Sequence, residues 1–281
     1  MKFLKITSIA SFIFFLSFGF SANSQELHGI LCGGEIRQAD MDVAAEFESA
    51  NPGVTIKWEA VPWGTCQDKV INLAIAGDPV DLAYVGSRTL KGLAENGHII
   101  NVDIPQSQID MYQPGILNTV SHLGKVWGYP RAFSTKALFM NCDLLEEAGV
   151  ACEGPETWDE LYSMAEAVTN NVPGVAGIGL TGKDFDNTMH QFLNYLYSNG
   201  GQVIDPDTNT ITLNSSNTVE ALAFYGKLAN VAQEGPLAYE RSQLRDLLND
   251  KKIAMYIDGP WGRGTHNEDL NMKTVRIPAG P

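Results

Sequence analysis

Basic residues are scarce in this chain, with 19 Lys and Arg against 33 Asp and Glu and a formal net charge of −14. Such an acid surplus repels phosphate backbones and anionic headgroups, which argues against nucleic acid and acidic membrane surfaces as partners. Metal-ligand spacing is missing as well. The four cysteines form no CxxC pair and the five histidines are scattered, so no metal and no cofactor are expected. No GxSxG, HExxH or Cys–His spacing appears, which leaves no nucleophile or metallohydrolase signature. Long apolar runs are also few, and only the N-terminus has one.

That run has a recognisable plan. Lys2 and Lys5 precede an apolar stretch over about residues 6–20, and Ala22-Asn23-Ser24 supplies small residues beyond it. Charged, apolar and small segments in this order make residues 1–24 a secretory signal peptide. The apolar part is short of the roughly 20 residues a membrane span needs. No cysteine sits at the cleavage point, so a lipid anchor is not indicated. In an exported chain, four cysteines suggest two disulfides. Cys142 and Cys152 could close a small loop around a helix end. Cys32 and Cys66 would be neighbours if the two strands expected before them are adjacent.

Beyond the leader, strands and helices alternate. LHGILC (27–32) reads as a strand and 38–49 as a helix that ends before Asn51-Pro52-Gly53. VTIKWEAV (54–61) is a second strand, 68–76 a helix stopped by Gly77-Asp78-Pro79, and DLAYVG (81–86) a third strand with a helix to about 95. This alternation predicts βαβ units and a parallel sheet, with the strand-end loops on one edge. A second unit starts near Leu138. Thr157 and Glu160 form a capping box for a helix to about 168. A strand over 177–181, helices over 187–199, 218–233 and 241–249, and a hairpin around 205–207 follow. Some 257 residues after the leader exceed one comfortable core, so two domains are expected.

Two motifs fail on inspection. GIGLTGKD (177–184) has P-loop spacing, but Asp184 replaces the hydroxyl that would hold magnesium. DPDTNT opens like a calcium loop, but Thr210 takes the glycine position and Ser216 the closing glutamate position. The stretch KIAMYIDGPWGRG (252–264) is more telling. Its apolar run ends in Asp-Gly-Pro, a strand stop, and Trp261 follows one residue later. An indole there either plugs the core from a loop or stands at the strand's C-terminal end.

Five stretches, in order, carry a family resemblance: KVINLAIAGDPVDLAYVG, GKVWGYPRAFSTKALFMNCDLLEEAGV, ETWDELYSMAEAV, NGGQVIDPDTNTITLNS and DKKIAMYIDGPW. Together they resemble the extracellular solute-binding proteins of ABC importers, in the sugar-binding family that includes maltose-binding protein. Two departures stand out. Met140-Asn141-Cys142 stands where members commonly have Tyr-Asn-Lys, and members typically run on well past IPAGP, so the sequence reads as part of a longer protein. The resemblance implies an α/β fold of two lobes, each a mostly parallel sheet flanked by helices, with the ligand cleft between the lobes. The expected division is 25–137 for the N-terminal lobe, 138–272 for the C-terminal lobe, and 273–281 returning to the first.

The resemblance also implies a function without chemistry. The protein would capture a sugar or oligosaccharide in the periplasm and deliver it to the permease subunits of an ABC transporter. Trp261 matches the tryptophan that stacks on sugar in such proteins. Trp63 sits at the corresponding end of the first domain, and Arg131 in GYPRAFST lies in the sugar-contacting region. Glu35, Ser87 and Arg88 follow the first and third strands, where open α/β sheets bind ligands. Asp184 and Asn187 would add hydrogen bonds from the second domain, or cap a helix. Two alternatives stay open: a secreted glycoside hydrolase, with Glu35 and Asp184 as its carboxylate pair, or a binding protein for polyamines.

Overall fold

The computed structural model describes residues 24–78, 80–205 and 207–281. The expected signal peptide at 1–24 lies almost wholly outside the described residues. The chain divides into two compact units, up to Arg131 and from Ala132 onward. Among the described residues no helix is long and apolar enough to cross a membrane.

The first unit is the expected βαβ series. Strand β1 (Gln25–Cys32), helix α1 (Gln38–Ala50), β2 (Val54–Val61), α2 (Trp63–Ala76), β3 (Leu82–Tyr84) and α3 (Ser87–Glu95) follow one another. The strands form a parallel sheet in the order β2-β1-β3. Gly29 on β1 pairs with Trp58 on β2, and a Cβ at Gly29 would lie 2.2 Å from that indole. The bare backbone is therefore what lets Trp58 lie across its neighbouring strand. Gly77 ends α2 in the left-handed conformation, φ 75°, as a helix C-terminus favours. Helix α2 begins at Trp63 rather than at the expected residue 68. Pro62 presets the entry, and the Cys32–Cys66 disulfide ties the first turn of α2 to the end of β1. Short helices α4 (Gln106–Ile109) and α5 (Pro114–Asn118) and the ribbon of β4 (Ser121–His122) with β5 (Lys125–Val126) complete the unit.

The second unit has the larger core. Its elements are β6 (Ala137–Asn141), α6 (Cys142–Glu147), α7 (Trp158–Asn171), β7 (Ala176–Gly179), α8 (Asp186–Ser198), the hairpin β8 (Ile204–Asp205) and β9 (Thr210–Ile211), α9 (Ser216–Leu228), α10 (Arg241–Asn249), β10 (Ile253–Asp258) and β11 (Met272–Val275). The Thr157–Glu160 capping box forms, with Thr157 Oγ1 accepting from the Glu160 amide at 3.2 Å. Helix α7 can lie tightly on β7 because position 177 is glycine, where a Cβ would sit 1.9 Å from the Ala165 carbonyl oxygen. Trp158 stacks on Phe224 at 4.6 Å within this core. The second disulfide, Cys142–Cys152, links the first residue of α6 to the loop beyond it.

Sheet order here is β11-β6-β10-β7. Only β10 and β7 run parallel, and β6 is antiparallel to both of its neighbours. The expectation of a mostly parallel sheet thus holds in the first unit and not in the second. The strand β6 enters from the preceding unit without a crossover helix, so nothing imposes the parallel direction on it. The second unit runs from Ala132 to Pro281, and residues 273–281 pack within it. Strand β11 pairs with β6, the Ala279 amide donates to the Glu156 carbonyl at 2.9 Å, and the Gly280 amide to Ser198 at 3.0 Å.

Candidate functional site

In the second unit the sheet directions decide what meets at one edge. Asp258 ends β10, and its register partner on antiparallel β6 is Ala137, the first residue of that strand. Lys136 is therefore delivered to the edge where β10 ends. Parallel β7 ends at that same edge and leads through a loop into Asp186, the first residue of α8. Helix α10 packs back along β10, so its first residue, Arg241, arrives there too.

Trp261 occupies the centre of this edge. Pro260 opens a short 3-10 turn, Pro260–Gly264, which carries the indole back over Gly259. A Cβ at Gly259 would lie 2.4 Å from the ring, so only glycine permits this close seat. The indole remains 38% exposed. Its Nε1–H donates to Asp258 Oδ1 at 2.7 Å.

Asp258 is completely buried and satisfied by several donors. The Gly259 amide reaches Oδ1 at 2.7 Å, the Tyr256 hydroxyl reaches Oδ2 at 2.8 Å, and the Arg241 guanidinium lies at 3.2 Å from Oδ2. A buried carboxylate persists only with such compensation. Burial, together with the Asp258 charge and hydrogen bond, pushes the Tyr256 phenol far above its ordinary pKa. Because this hydroxyl donates to Asp258, its oxygen is left to accept from His266 Nε2, 2.7 Å away, in the tautomer that carries a proton there. Burial pulls His266 below the usual histidine pKa.

Two cations lie on the indole. The Lys136 ammonium is 4.3 Å from the ring centroid and the Arg241 guanidinium carbon 5.3 Å. Burial, joined by the Arg241 charge, lowers the Lys136 pKa against the opposing pull of Asp258 and Asp186.

The other second-unit residues expected at the site fall differently. Asp184 is exposed in the loop before α8, and Asn187 is half-buried in the first turn. Neither caps α8, whose N-cap is Phe185. It is Asp186, 3.7 Å from His190, whose charge reaches Lys136. Lys136, Arg241, Asp258 and Asp186 were all missed. The Asp-Gly-Pro-Trp punctuation was a signal for Asp258, but it reads as a strand stop.

The first unit collects its expected residues at the C-terminal edge of the parallel sheet. Trp63 starts α2 and lies tilted against Tyr84, the last residue of β3, with centroids 6.1 Å apart. Arg131 sits over the same tyrosine at 4.5 Å and donates to Asp40 Oδ1 at 2.6 Å. Trp63 and Arg131 thus converge on Tyr84, which the sequence did not single out. Glu35 is exposed and engaged by Arg37 at 2.9 Å. Ser87 and Arg88 are exposed at the start of α3.

Among the described residues no cluster of His, Cys, Asp and Glu could hold a metal ion. The arrangement offers aromatic faces with charged hydrogen-bonding groups beside them, which suits a polar ligand with an apolar face.

The family model described as bacterial extracellular solute-binding protein matches residues 33–278. A protein of Brucella abortus (strain 2308), described as a binding protein, is 30% identical over 253 residues, covering 85% of this chain and 59% of its own length. The chain thus spans about three fifths of that relative. Among solved structures, an ABC transporter solute-binding protein from Thermotoga lettingae bound with alpha-D-tagatose superposes with a TM-score of 0.78 at 24% identity. It matches 91% of this chain and 69% of its own. The GacH receptor of Streptomyces glaucescens, solved unliganded and with acarbose, gives a TM-score of 0.77 at 25% identity over 92% of this chain and 67% of that one. The two-lobed fold of these proteins is the fold of this chain.

Proposed function

The chain belongs to the bacterial extracellular solute-binding proteins, and from that premise we propose that it captures a sugar or oligosaccharide and passes it to the permease of an ABC importer. The reading includes no chemistry of its own and a periplasmic location reached through the N-terminal leader. The observation that carries it is Trp261, a partly exposed indole held at the end of a buried strand by a buried carboxylate. A sugar ring presents an apolar C–H face to such a ring and hydroxyls to its charged neighbours. The first unit's Trp63, Tyr84 and Arg131 supply the same combination. Two disulfides support an exported location.

No observation favours a hydrolase. The polyamine alternative is opposed by the charges, because a polycation at this indole would meet Lys136 and Arg241.

Thermal-shift screening against a sugar panel, followed by calorimetric titration of hits, tests the reading. A ligand at 100 times its dissociation constant should stabilise by about 2.7 kcal/mol. Trp261→Ala should then weaken binding by about 1–3 kcal/mol. A Trp261→Ala protein that binds the same sugar as tightly as the parent would refute the platform.

A further inference from the structure

Lys136 is an odd residue for a neutral-sugar platform. The residue is half-buried, with its ammonium on the Trp261 indole. Among the described residues no carboxylate, carbonyl or hydroxyl accepts a hydrogen bond from it. The two carboxylates whose charge reaches it are otherwise engaged. Asp258 is occupied by Gly259, Trp261, Tyr256 and Arg241, and Asp186 has His190 at 3.7 Å. A cation–π contact of this kind is worth about 0.5–1 kcal/mol where partly exposed. That is a weak return for a half-buried ammonium with no acceptor among the described residues.

The chain has only 19 basic residues, yet two of them converge on one indole. Arg241 is accounted for by Asp258. Among the described residues no hydrogen-bond acceptor accounts for Lys136. A ligand stacked on the indole would lie beside this ammonium, and an anionic group on the ligand would supply the missing acceptor at the cost of the weaker ring contact.

We infer that Lys136 is a specificity-determining residue and that the site takes an anionic sugar, one bearing a carboxylate or a phosphate beside the ring that stacks on Trp261. The inference rests on the sugar-binding reading and deepens it. A neutral sugar can use the indole, but it offers the ammonium no charged acceptor within hydrogen-bond reach. A charge-assisted hydrogen bond to Lys136 distinguishes the two classes by about tenfold to a hundredfold in affinity.

The test titrates the full chain with matched pairs: uronate mono- to trisaccharides, the corresponding hexose phosphates, and their neutral parents. The same series is run on Lys136→Met, which keeps the apolar stem, and on Lys136→Arg, which keeps the charge. The expected result is tighter binding of one anionic class than of its neutral parent by about tenfold or more. That preference should collapse in Lys136→Met, survive in Lys136→Arg and shrink at high salt. Whether uronates or phosphates lead identifies the anion. Equal or better binding of neutral sugars by the parent protein, or an anionic preference that persists in Lys136→Met, overturns the inference while leaving the sugar-binding reading intact. Failure of every saccharide, charged and neutral, to bind the parent protein overturns both.

Discussion

Replacing Asp258 with asparagine removes one negative charge from the interior of the second unit without changing its shape, and the hydrogen-bond network says where the loss falls. An asparagine can keep its oxygen toward the Gly259 amide and the Trp261 Nε1–H, both at 2.7 Å. Its amide nitrogen then faces Tyr256 and Arg241. Tyr256 can adapt, since its hydroxyl can accept from the new amide and turn its proton to His266. Arg241 cannot, because a guanidinium only donates; it keeps its 3.4 Å contact to the retained oxygen but loses the 3.2 Å contact and the counter-charge. Its side chain is 18% exposed, so it is left charged, poorly solvated and opposite another donor. Breaking a buried pair on one side costs about 3–5 kcal/mol. We take the lower end, about 3 kcal/mol, because Arg241 retains some solvent. At about 2–4 °C per kcal/mol for a unit of this size, the second unit should melt roughly 6–12 °C lower. Asp258→Asn combined with Arg241→Met should recover more than half of that loss, because no charge is stranded. Calorimetry of parent, both singles and the double variant closes the cycle. An Asp258→Asn protein within about 0.5 kcal/mol of the parent, or a double variant whose losses simply add, would refute the reasoning.

Further outcomes follow from other parts of the molecule. Cys32→Ser with Cys66→Ser opens a loop of sequence separation 34 and should cost about 4 kcal/mol, against about 3 kcal/mol for the Cys142–Cys152 loop of separation 10; denaturant melts of the two double variants compare them. Gly259→Ala drives a methyl into the Trp261 ring and should cost about 1–3 kcal/mol by overpacking, with a shift in tryptophan emission that an undisturbed ring would not give. His266 has a folded-state pKa below its unfolded one, so the unfolded chain takes up the proton first. Its contribution to stability is present above about pH 6.5 and is lost as pH falls below that value. A His266→Gln variant should show a flatter dependence of melting temperature on pH over that range.

How much of this was legible in the sequence differs between the units. The first unit's sheet follows from its alternating pattern, because each strand there is closed by a turn signal and followed by a helix. The start of α2 was not legible, since Gly64 weakens the helical pattern and the turn is held by a disulfide across the fold. In the second unit Trp261 could be placed past the strand stop from its punctuation alone. The cations beside it could not. Lys136 reaches the indole only because β6 runs antiparallel to β10, and nothing local in TKALFMN states a strand's direction. Asp258 reads as a turn former because its counter-ion, Arg241, is brought to it only by tertiary contact. Asp184 and Asn187 stand out in the sequence by their place between a strand and a helix, whereas Asp186, between them, is the residue whose charge reaches Lys136.

The bond from Trp261 to Asp258 also bears on the thermodynamics of capture. An exposed tryptophan on a loop samples several rotamers, and a ligand that stacks on it must surrender that freedom on binding, which subtracts from affinity. Here the ring is already fixed by an indole hydrogen bond to a carboxylate that folding has buried, with Gly259 against it. The rotameric entropy is lost when the chain folds, so a visiting sugar ring does not bear it. Affinity at this face should therefore respond little to changes in loop flexibility further along 265–271. It should instead respond steeply to anything that frees the indole.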